Sequence, residues 1–111
     1  MEKIILIDGK EVGFKSTGAV PLRYKAQFGK DFFSDLMKLE KVANIKKLKA
    51  EDIASIDFDV FYNICWILAK TYDKTIALPI DWLDEFDSFP IIDVLPELTE
   101  LLQASISTKK K

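Results

Sequence analysis

Histidine is absent from this 111-residue chain. With it go the commonest general base and the commonest metal ligand. A single cysteine, Cys65, leaves no internal disulfide and no thiolate zinc site. One cysteine fits a reducing or an oxidising compartment equally. Arginine is nearly missing too: Arg23 stands alone against fifteen lysines. Arginine forks are the usual readers of base edges and phosphates, so no nucleic-acid partner is expected. The four glycines, at 9, 13, 18 and 29, have neither P-loop nor dinucleotide spacing. No basic leader runs into an apolar stretch with a cleavage site, so a signal peptide is not expected and cytoplasm is the default.

What the chain does have is apolar bulk. Hydrophobic residues make up 49% and aromatics 12%, which is enough to fold and to bury a modest core. The densest stretch runs from Phe58 to Tyr72, where Asn63 is the one strongly polar side chain between Val60 and Ala69. A helix apolar nearly all the way round is a buried helix. Framed by Asp57, Asp59, Lys70 and Asp73, it is too short to span a membrane. The expected fold is mainly α, in the α+β class: one domain over 1–107 around this central helix, an N-terminal β-hairpin, and a lysine-rich tail at 108–111.

The hairpin is expected over 3–7 and 11–15, turning at Asp8-Gly9, with Ile5, Ile7, Val12 and Phe14 facing the helices. Pro21 suits a helix first turn and Gly29 a C-cap; Leu22, Ala26 and Phe28 give that helix an apolar side. Asp31 is the expected cap of a helix through Phe32, Phe33, Leu36, Met37 and Leu39, with Lys38 and Lys41 outside. Ala43 to Lys49 either continues it or forms a link. Ala50 to Ile53 reads as a short helix start, and Asp57 as the central cap. Pro79 opens a short helix to Phe86. Ile91 to Leu95 reads as a separate turn, with Pro96 starting the last helix.

Charge is segregated although the net is only −2. Met1 to Lys49 holds eleven basic and six acidic residues; Ala50 to Glu100 holds two and twelve. Either the two sets pair within the monomer, or they meet a partner or another copy. Asp81, Asp84 and Glu85 fall on one side of the Pro79 helix. A solvated face is the plain reading and a strip for a basic partner the sharper one. Trp82, were it exposed, is the candidate anchor for that partner. The acids lack calcium-loop spacing, so no metal or cofactor is expected. Cys65, mid-helix among Ile64, Trp66 and Ile67, reads as packing. Lys41, Lys46, Lys47 and Lys49 read as a charged loop. Asn63 either makes a buried hydrogen bond or lies on a wet strip with Lys70.

A resemblance extends this reading. Ile7-Asp-Gly-Lys-Glu-Val12 leads to Phe14-Lys-Ser-Thr-Gly-Ala19, then Pro21-Leu-Arg-Tyr24, Phe28-Gly29 and Asp31-Phe-Phe-Ser-Asp-Leu36. An aromatic helix at Phe61–Trp66 and a Trp-Leu-Asp-Glu-Phe segment at Trp82–Phe86 follow. In this order the motifs resemble the tail assembly chaperones of long-tailed phages and prophages of Gram-positive bacteria. The resemblance spans most of the chain, and Leu22, Tyr24, Phe28, Phe32 and Phe33 match family positions. It implies a non-enzymatic interaction protein in the cytoplasm of the bacterial host. Such a protein binds the helical tape-measure protein and keeps it soluble during tail assembly. A frameshifted longer form that engages the tail-tube subunit is a family habit; Lys109-Lys110-Lys111 is either its slippery site or a solubilising tail. The alternative is a structural head–tail connector or minor tail component. Homo-oligomers are a further expectation from the opposed charges.

Overall fold

In the computed structural model, which describes residues 1–43 and 49–106, six helices gather behind a two-stranded antiparallel hairpin. Strands β1 (Glu2–Ile7) and β2 (Lys10–Lys15) pair with Ile5 opposite Val12 and Leu6 opposite Glu11. Asp8 and Gly9 both take positive φ, 54° and 75°. That is the twist a two-residue turn needs to match its strands, and the reason the sequence places these residues there. The register turns Ile5, Ile7 and Phe14 into the core with half-buried Val12, and leaves Ile4 and Leu6 outside.

Helix α1 (Val20–Phe28) begins with Pro21 in its first turn and ends on Gly29 at φ 69°. Its buried face is Val20 and Tyr24, with Phe28 half-buried. Leu22 and Ala26, expected on the apolar side, are exposed. The 20-24-28 spacing selects the face with the larger side chains, because burying a Tyr and a Phe gains more than a Leu and an Ala.

Helix α2 (Phe32–Ala43) is capped as expected: the Ser34 N–H donates to Asp31 Oδ2 at 2.8 Å. Phe32, Leu36 and Leu39 are buried, while Phe33 and Met37 are exposed. A short α3 (Ala50–Ala54) leads to α4 (Phe58–Tyr72), whose first turn is capped by Asp57 accepting from the Val60 N–H. Nine α4 residues are buried, from Val60 to Thr71. α4 touches β2, α1, α2 and α5, so it is the central element.

Asn63 is half-buried near the Tyr24 hydroxyl. Tyr24 donates to Asp35 Oδ2 at 2.6 Å, and Lys38 Nζ lies 3.4 Å from the other carboxylate oxygen. The Tyr24–Asp35 bond ties α1 to α2 inside the core, with exposed Lys38 at its edge. Burial pushes the Tyr24 phenol far above its ordinary range, helped by the Asp35 carboxylate that holds its proton.

After α5 (Pro79–Leu83), the last helix α6 runs unbroken from Ile91 to Ile106 with Pro96 inside it. A break before Pro96 was the sequence expectation. Proline costs about 3 kcal/mol inside a helix, since it removes one bond and crowds the carbonyl four residues back. Here Ile91, Val94 and Leu95 continue the buried stripe of Leu98, Leu101 and Leu102 at helical spacing. Each buried aliphatic side chain gains about 1.5–3 kcal/mol, so the three upstream of Pro96 outweigh the proline. Residues 44–48 and 107–111, with Lys46, Lys47 and the lysine tail, lie outside the described residues. Among the described residues, no helix is long and apolar enough to cross a membrane.

Candidate functional site: an aromatic groove beside α5

The turn after α4 is tightly held. Asp73 Oδ1 accepts from both the Thr75 hydroxyl (2.6 Å) and the Thr75 N–H (2.9 Å), which keeps its carboxyl below the ordinary range. Lys70 Nζ reaches the Lys74 and Ile76 carbonyls, and Trp66 Nε1 donates to the Ala77 carbonyl at 2.8 Å. These bonds fix where α5 starts. Leu78 and Ile80 then stand in solvent, 62% and 76% exposed, although both are large aliphatics.

Next to them lies a groove of about 350 Å³. Its apolar walls are Tyr62, Ile80, Leu83, Phe86 and Phe89, and Asp84, Asp87 and Ser88 complete its lining. Edge-to-face ring contacts link the aromatic part: Phe86 to Phe89 at 5.3 Å and Tyr62 to Phe89 at 6.1 Å. The hairpin tip braces the same segment from behind. Asp8 Oδ2 accepts from the Asp87 N–H at 2.9 Å, Lys10 Nζ donates to the Glu85 carbonyl, and Lys10 sits 5.2 Å from the Phe86 ring centre.

The residues singled out from sequence separate here. Trp82 is 3% exposed, so it is not a surface anchor. Its ring packs on Phe86 at 5.4 Å and Phe89 at 5.5 Å and supports the groove from below. Burial wins because Trp82 is the largest apolar side chain on α5, and its inward neighbours are aromatic. Asp81, Asp84 and Glu85 are exposed, but only Asp84 lines the groove. Glu85 borders a smaller hollow, with Gly13, Tyr72 and Trp82, between the hairpin and α4–α5. Tyr62, Ile80 and Phe89 were missed as site residues. Phe89 follows the apparent helix end and Tyr62 lies on the central helix, so linear spacing gives no sign that they meet.

Among the described residues, no group of three or more Cys, Asp or Glu side chains is arranged to hold a metal ion. Cys65 is fully buried, and that burial pushes its thiol well above the usual range. No family model, no curated protein and no solved structure matches the chain.

Proposed function

We propose that this chain is a phage or prophage tail assembly chaperone, a non-enzymatic protein that holds the tape-measure protein in soluble form. The observation that carries the reading is the exposed apolar wall at α5, with Ile80 76% in solvent at the lip of an aromatic groove. Exposed apolar side chains grouped around a hollow, rather than scattered singly, are the kind of surface on which a partner docks. An extended helical client needs such a surface: an apolar slot to shield its stripe and a charged margin to keep the complex in solution. The motif order from Ile7 to Phe86 supports the same reading.

The test is co-expression with the tape-measure protein encoded in the same genome. Its soluble fraction should rise with this chain present and fall back when the chain is omitted. Tape-measure protein that stays equally insoluble in both cases refutes the proposal. Mass spectrometry of purified particles separates it from the connector alternative, since an assembly chaperone leaves before the particle is complete.

A further inference from the structure

Resting on the reading that this chain holds a helical client, we infer that the α5 groove takes an amphipathic helix whose apolar stripe is edged by lysine or arginine. The groove sets the apolar half of that description. Its apolar lining combines aliphatic Ile80 and Leu83 with aromatic Tyr62, Phe86 and Phe89. About 350 Å³ is room for a few large side chains presented at one-turn spacing. A helix supplies such side chains with its backbone bonds already satisfied, so nothing polar is stranded in the slot.

Charge sets the other half. From Thr75 to Thr108 the chain has seven acidic residues and no lysine or arginine. Asp84 and Asp87 lie in the groove lining, with Asp81 and Glu85 exposed on the same segment. Among the described residues, none of these four carboxylates is in an ion pair. Lys10 touches this segment through the Glu85 carbonyl and the Phe86 ring, and its one positive charge offsets only part of the four carboxylates. The rim therefore keeps a net negative field around an apolar slot. Rim charges act mostly on partner choice and association rate, so they select for a cationic edge and against an acidic one.

Three fluorescein-labelled helical peptides, each roughly 18 residues long, test this with the whole chain by fluorescence anisotropy. One has a leucine stripe edged by lysine, one the same stripe edged by glutamate, and one the lysine composition scrambled to destroy the stripe. The lysine-edged peptide should bind at least about ten-fold tighter than either control, with the margin over the glutamate peptide shrinking in high salt. Ile80→Ser, at an exposed position that leaves folding intact by circular dichroism, should abolish stripe-dependent binding. Asp84→Asn with Asp87→Asn should cut the preference for lysine over glutamate at least several-fold and keep the preference for the stripe. Equal binding of the two edged peptides, or lysine-peptide binding unmoved by Ile80→Ser, overturns the inference. So does a sedimentation mass above the monomer that Ile80→Ser reduces, since a second copy would then fill the groove. The co-expression assay separates the two proposals. Tape-measure rescue unchanged by Ile80→Ser removes the groove and leaves the chaperone reading; lysine-peptide binding without rescue does the reverse.

Discussion

Replacing Gly13 with alanine should destabilise the protein, and the loss should vanish when Tyr72 is also removed. A β-carbon at Gly13 would fall inside the van der Waals envelope of the Tyr72 ring, against Cε2, Cδ2 and Cζ. The strand cannot retreat, because Gly13 is paired across the ladder with Ile4 and β2 lies on α4. The ring must therefore swing into solvent. Tyr72 is 41% exposed, so a little over half its surface is at stake. For a tyrosine that is on the order of 100 Å², or about 2.5 kcal/mol at ~25 cal/mol per Å². Against this, alanine in a strand recovers about 0.5–1 kcal/mol over glycine. The net loss is about 1.5–2 kcal/mol, worth roughly 6–10 °C in Tm for a domain of this size. Urea denaturation followed by the fluorescence of Trp66 and Trp82 measures it. In the Tyr72→Ala background, Gly13→Ala should be neutral or stabilising by up to about 1 kcal/mol. An equal loss in both backgrounds refutes the steric account and assigns the glycine to backbone conformation instead.

Three further outcomes follow from buried or capped groups. Tyr24→Phe strips the buried Asp35 carboxylate of its donor and should cost about 2 kcal/mol by urea titration near neutral pH. The Tyr24 phenol is raised in the folded state, so its contribution is complete below the unfolded value of 10.0 and is lost as pH climbs towards the folded one. Stability should accordingly fall above pH 10.0 in the parent and fall less steeply in Tyr24→Phe; parallel curves contradict this. Cys65 should resist a thiol reagent such as DTNB in the folded protein, even at pH 9.0, and react only at the rate of global opening. The Asp31 carboxyl is lowered by its bonds from Ser34, so its stabilisation is present above 3.8 and disappears as pH drops through the folded value. Asp31→Asn should flatten the acid limb of the stability curve relative to the parent.

Short-range chemistry was the legible part of this fold. The Asp8-Gly9 turn, the Asp31 and Asp57 caps, Gly29 and the buried helix at 58–72 all depend on residues within a few positions of one another. Their signals survive in one dimension. The errors arose where distant packing overrode a local rule. Pro96 reads as a helix start, yet α6 passes through it because both sides of the proline share one buried stripe. Leu22 and Tyr24 compete for the inside of α1, and the larger Tyr24 wins because α2 offers its ring Phe32 and its hydroxyl Asp35. The candidate site behaved likewise. Its acids were visible as a cluster, but the apolar groove is built by Tyr62, Ile80 and Phe89, which only the folded chain brings together. Trp82 was an anchor candidate only if exposed, and it is buried, packed on Phe86.

The brace between Asp8 and the Asp87 backbone joins positions 79 residues apart. Closing so long a loop costs entropy that no neighbouring contact can offset in advance. During synthesis, then, the back of the slot has nothing to lean on until residue 87 has left the ribosome and the opening hairpin can fold over it. The hairpin that supplies the brace is made first and waits for the segment it supports, so this contact belongs only to a chain extended to residue 87.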